Sequence, residues 1–245
     1  MTLYIGTSGW AFPEWKPAFY PPELPRRAWL THYSSIFNTC EVNNTFRARP
    51  APEVVRRWAA ETPPGFSFSL KANRFITHGK SIAPEGNRAG YLSGFMEVAR
   101  ELGDKLGTCL FQFPPHRERD DDDLAALLAA LPTDPPVALE FRHESWRAPE
   151  VEAAIVDAGH VLCFAEWEGR APDRLPPGRI AYVRLRGESY SDGQRDAWRE
   201  LLIVEGAQRD VYAFGKHEST EPGDVTAGLG FARWLTERLA PGTKS

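Results

Sequence analysis

Glu41 with Asn43, Glu140 with Arg142, and Arg184 with Arg186 are three pairs of polar residues spaced two apart, each at the end of a short apolar run. Residues two apart on a strand face the same side, so each pair points one way at its strand end. Charges placed inside a sheet must be paired or must change protonation state. Glu41 and Glu140 are therefore the candidate general base and acid, provided their surroundings push their pKa values apart. Arg142, Arg184 and Arg186, with Lys71, supply the forks and point charge that hold a phosphate or carboxylate and stabilise developing charge. His78, His143 and His217 follow other runs and are candidate proton-transfer partners or orienters. Asn43, Gln112, Tyr190 and Trp10 are candidate substrate contacts, the tryptophan by stacking together with Phe12, Trp15 and Tyr20.

Five fixed cations stand at the run ends (Lys71, Arg142, Arg184, Arg186, Lys216) against three carboxylates (Glu41, Glu140, Glu166). The chain as a whole, 245 residues, carries a net charge of −4. That balance argues against wholesale binding of nucleic acid and leaves a small anionic molecule as the expected partner. A self-contained lattice of ion pairs is the structural alternative, and it requires every one of these arginines to be saturated by protein carboxylates. A second alternative is a metal-dependent phosphodiester hydrolase of the barrel endonuclease type, drawing on the three histidines and the carboxylates. No tight ligand spacing supports it and the nearby cations repel a divalent ion, so no metal ligand or cofactor is assigned. A third is a non-catalytic binder of nucleic acid or a metabolite. His78-Gly79-Lys80-Ser81 resembles the end of a P-loop but has Arg74 where its first glycine belongs, and neither His143-Glu144 nor His217-Glu218 completes H-E-x-x-H.

These residues need elements to position them. Eight strand-like runs, at 3–7, 39–43, 66–71, 108–113, 137–141, 161–165, 181–185 and 210–214, start 20 to 42 residues apart, which suits βα units. Helices are expected over 25–36, 52–60, 90–102, 124–131, 149–158, 194–204 and 225–239. The stretch between runs six and seven, EWEGRAPDRLPPGR, is too short and too rich in Pro and Gly for a full helix. The pattern is that of an α/β protein, a TIM-type (β/α)8 barrel lacking its sixth helix, with residues 1–245 as one domain. An open doubly wound sheet is the alternative, but Gly6-Thr7-Ser8-Gly9 lacks the dinucleotide-binding spacing. In a barrel the strand ends form the active-site mouth. Cys40, Cys109 and Cys163 are odd in number and widely spaced, reading as reduced buried thiols of a cytoplasmic protein. No membrane span or signal peptide is apparent.

The chain resembles the DUF72, or YecE-like, family over nearly its whole length. The stretches that carry the likeness are Gly6-Thr7-Ser8-Gly9-Trp10, Phe19-Tyr20-Pro21, Glu41 through Phe46, Lys71 with Ile76-Thr77-His78, and Leu110 through Pro115. Glu140 through Trp146, Tyr182 through Leu185 with Gly187, and Phe214 through Glu218 complete them. The resemblance implies a TIM-type barrel and brings no reaction with it. This chain departs from the family pattern at Pro17, Arg47, Glu166 and Arg186, where the pattern has glycine, an aromatic, aspartate and histidine. The change at Arg186 adds a positive charge to the mouth and removes a candidate acid or base.

Overall fold

The computed structural model describes residues 1–217 and 223–239. Its strands are β1 (Leu3–Thr7), β2 (Thr39–Val42), β3 (Ser67–Lys71), β4 (Leu106–Gln112), β5 (Val137–Glu140), β6 (Val161–Leu162), β7 (Phe164–Glu166), β8 (Ile180–Leu185) and β9 (Asp210–Gly215). All pairings are parallel, in the order β6-β5-β4-β3-β2-β1-β9-β8-β7. The two ends of that order are consecutive pieces of one run: β6 pairs with β5, β7 pairs with β8, and the chain changes neighbour at Cys163. The sheet thus curls into a nearly closed TIM-type barrel, with its seam where one continuous strand is expected over 161–165. Apolar character persists across the seam, so the sequence pattern gives no sign of the change of partner.

The helices are α1 (Trp29–Ser34), α2 (Pro52–Ala60), α3 (Arg74–Thr77), α4 (Asn87–Arg100), α5 (Asp121–Ala130), α6 (Pro149–Asp157), α7 (Asp192–Gly206) and α8 (Gly228–Leu239). Caps set several starts ahead of the apolar stripes. Asp120 accepts the Asp123 N–H at 3.0 Å and starts α5 before Leu124. Ser191 and Gln194 form a reciprocal capping box at α7, satisfying donors the helix leaves orphaned. The short α3 is absent from the helical pattern; the Asn73 side chain nucleates it by accepting the Phe75 N–H at 2.9 Å. No helix lies between β7 and β8, as the Pro- and Gly-rich stretch predicts.

Aromatic and branched residues such as Phe37, Phe66, Phe111, Val183, Trp198 and Leu235 fill the layer between sheet and helices, each contributing about 1.5–3 kcal/mol on full burial. The barrel interior is a separate stack of Tyr4, Leu110, Val161, Tyr182, Tyr212 and Phe214. Above it the filling turns polar: Tyr182 Oη meets Ser69 Oγ at 2.8 Å and donates to Glu41 Oε2 at 2.7 Å. The three cysteines are free and buried. No helix among the described residues is long and apolar enough to cross a membrane.

Candidate functional site at the barrel mouth

The strand register brings Glu41 on β2, Glu140 at the end of β5 and Arg184 on β8 into one buried layer above Tyr182. Arg184 donates through Nη1 to Glu140 Oε2 at 2.7 Å and through Nη2 to Glu41 Oε1 at 2.9 Å. Arg186 Nη2 reaches the same Glu41 oxygen at 3.2 Å and Ser8 Oγ at 2.6 Å. Glu140 Oε1 accepts from Gln112 Nε2 at 2.7 Å and from Arg142 Nε at 3.1 Å. All four carboxylate oxygens therefore hold charged or polar donors, and both glutamates are fully buried.

The electrostatics follow from these contacts. Burial by itself would raise the Glu41 pKa, but Arg184 and Arg186 outweigh it and bring the carboxyl down to about 2. Glu140 is lowered likewise, Arg184 and Arg142 overcoming its burial. Arg184, flanked by both carboxylates, is held more firmly cationic despite its burial. Lys71 and Arg186 behave in the opposite way. Burial and repulsion from Arg184 push Lys71 down to about 8 and pull Arg186 below the usual arginine range.

Over this layer opens a cavity of about 900 Å³. Among the described residues seven Lys and Arg line it, Lys71, Arg142, Arg184, Arg186 and Lys216 among them, against one carboxylate, Glu188. Glu41 and Glu140 are not on its wall. Arg142 commits only Nε to Glu140 and lays its guanidinium 5.6 Å from the Trp167 ring centre. Lys216 is buried, with no side-chain hydrogen bond among the described residues. Asn43 gives its amide to Ser8 O at 3.3 Å and keeps a buried Oδ1 without a hydrogen-bond partner among the described residues. Trp10, Phe12, Phe46 and Trp167 supply apolar walls, and His217 stacks on Phe12 at 4.4 Å between centroids.

Of the residues expected to form the site, Trp10, Asn43, Lys71, Arg142, Arg184, Arg186 and His217 line the cavity. Gln112 sits beneath, accepting the Lys71 ammonium at Oε1 (2.8 Å). His78 lies outside it, in edge contact with Phe46 and bonded to Thr77 Oγ1 at 2.9 Å; desolvation and the cations Lys71 and Arg74 lower its pKa. His143 caps the turn at 144–146 through Ser145. Tyr190 is buried and donates to Glu166, which also receives the backbone amides of Gly169 and Gly187. That pair braces the β7 and β8 loops and stays off the wall. Trp15 and Tyr20 are core packing with Tyr33 and Trp29, so the expected aromatic wall is halved. Glu218 lies outside the described residues. Phe46 and Trp167 go unassigned by charge and spacing; their places, three residues after Asn43 and directly after Glu166, are the available signal. Among the described residues no group of three or more His, Cys, Asp or Glu side chains is arranged to hold a metal ion.

A family described as "Protein of unknown function DUF72" matches residues 4–241. The UPF0759 protein YunF of Bacillus subtilis is 32% identical over 236 residues, covering 88% of this chain and 82% of that protein. YecE of Escherichia coli is 27% identical over 158 residues, 64% of this chain and 54% of its own length. A crystal structure of a DUF72 family protein from Thermotoga maritima superposes with a TM-score of 0.74 at 23% identity, covering 98% of this chain and 99% of that one. A crystal structure of D-psicose 3-epimerase in the presence of D-fructose shares the fold at TM-score 0.55 and 10% identity, over 100% of this chain and 93% of that one.

Proposed function

Given that this chain belongs to the DUF72 family, we propose that its barrel mouth binds a small phosphorylated or carboxylated, sugar-like molecule and acts on it as an enzyme. One observation carries the reading: among the described residues the cavity wall sets seven cations against Glu188 alone, while Glu41 and Glu140 lie beneath with every carboxylate oxygen already bonded. In a self-contained lattice the charges would cancel. Here burial, with repulsion from Arg184, destabilises Lys71 and Arg186 as cations, and a bound anion would relieve both.

The free donors suit that ligand. The terminal nitrogens of Arg142 form an open fork for a carboxylate or phosphate, and Lys71, Arg186 and Lys216 surround the same space. Trp10 and Trp167 offer faces on which the carbon side of a sugar can stack. The likeness in fold to D-psicose 3-epimerase bears only on the sugar-like character of the ligand and not on its charge. Glu41 and Glu140, each locked in its ionised form by arginine, serve better as counter-charges that aim Arg184 and Arg142 than as the acid and base. Proton transfer falls to groups on the wall, Lys71 and His217.

Calorimetric titration with inorganic phosphate and with fructose 6-phosphate tests the reading. Binding of both, weakened about tenfold or more in Arg142→Ala and Arg186→Met, is expected for the loss of a charge-assisted contact. No binding, or binding indifferent to both changes, would overturn it.

A further inference from the structure

The mouth contains an amine in an unusual setting. Lys71 ends β3 and lines the cavity. Its Nζ has a single side-chain hydrogen bond among the described residues, to the neutral Oε1 of Gln112 at 2.8 Å. The two carboxylates close enough to act on it, Glu41 and Glu140, are occupied by arginines. The amine instead stands 4.5 Å from the centre of the Phe46 ring, within the field of Arg184 and Arg142. A lysine that merely neutralises a carboxylate is placed against one. This one is held by an amide acceptor and an aromatic face, with cationic neighbours that favour the free base.

We propose that Lys71 is a nucleophile that condenses with the carbonyl group of an anionic, open-chain sugar-like substrate to form an imine. The proposal rests on the anion-binding reading and adds a carbonyl to the substrate and a covalent step to the chemistry. The Nζ lone pair attacks the carbonyl carbon, forming the N–C bond as the C=O π pair moves to oxygen. One amine proton then passes to that oxygen, giving a carbinolamine. The C–O bond breaks, the second amine proton leaves with the oxygen as water, and the C=N bond forms. No oxidant or reductant is required. Arg142 and Arg186 hold the anionic end of the substrate in the same cavity, so binding and attack are coupled. Once protonated, the imine draws electrons from the adjacent carbon, which places the reaction among carbon–carbon cleavages or isomerisations next to a carbonyl.

Borohydride trapping tests this. The protein is incubated with dihydroxyacetone phosphate, which joins a ketone to a phosphate, then reduced and mapped by peptide mass spectrometry. The expected product is a stable adduct on Lys71, suppressed by inorganic phosphate, absent with uncharged dihydroxyacetone at equal concentration and lost in Lys71→Arg. Its yield should rise with a midpoint near pH 8, where an ordinary lysine, near ~10.4, is still almost wholly protonated. This midpoint is set first by burial and then by Arg184, Glu41, Glu140 and Arg142, with His78, directly after α3, nearby. An adduct on Lys216, or one spread over surface lysines, would overturn the assignment. Phosphate binding measured in parallel separates the two proposals: binding without an adduct removes the imine and leaves the anion site, and no binding removes both. Thermal unfolding of Lys71→Arg, with a melting temperature close to that of the unchanged protein, shows that the variant is folded.

Discussion

Arg184 is the residue on which the mouth depends most, since its two terminal nitrogens neutralise two buried carboxylates at once. Removing it leaves both without their shared partner. Arg184→Met should destabilise the protein by about 3–5 kcal/mol, as breaking a buried ion pair does elsewhere, and urea unfolding measures it. The same layer sets an acid limit. Glu41 is held at about 2 in the folded state and returns to ~4.3 when unfolded. Its contribution is complete above the unfolded value and is lost as pH falls toward the folded one. Unfolding at a series of pH values should show stability dropping through this window, with a shallower slope in Glu41→Gln. The sequence displayed the members of this layer, because period-two spacing put Glu41, Glu140 and Arg184 at strand ends. It did not display the division of labour, because whether a carboxylate is a base or a counter-ion depends on which arginine reaches it across the barrel.

At the scale of elements, the strands were legible because barrel strands are short, apolar and regularly spaced. β1 occupies the expected residues 3–7, and the other runs differ mainly at their ends. The seam at Cys163 was hidden because only the partner changes there. The mouth is positioned by close backbone contacts as much as by side chains. A Cβ on Gly6 would lie 2.1 Å from Thr39 O and 2.8 Å from Tyr33 Oη. Tyr33 Oη also donates to Thr39 O and receives the Thr7 N–H, fixing β1 against β2 directly below Ser8. Gly6→Ala must part the two strands and should cost at least about 3 kcal/mol, the upper range for an overpacked core. Ser191→Ala, which removes a cap on exposed backbone at α7, should cost only about 1 kcal/mol. Thermal unfolding of the two variants distinguishes a contact within the barrel from one at its periphery.

For the whole molecule, the net charge of −4 and the cationic cavity describe two different ranges of interaction. At low ionic strength the screening length is about 30 Å, and an approaching anion feels the negative average of the whole surface; at 0.1 M it is about 10 Å, and the anion feels mainly the mouth. A small phosphate ester has no condensed counterion atmosphere to release on binding. Its affinity should therefore fall only gently between 50 and 200 mM salt. A single-stranded oligonucleotide held through several phosphates would instead follow a slope of about −0.7 per phosphate contacted on a log–log plot. Titrating fructose 6-phosphate and a short single-stranded DNA across that salt range separates the two ligands on one protein. Tight DNA binding with a steep slope would assign the cations to a polyanion track. A shallow slope for the sugar phosphate, with the DNA unbound at 200 mM, is expected here, because the cations are gathered inside one cavity under a surface that is negative on balance.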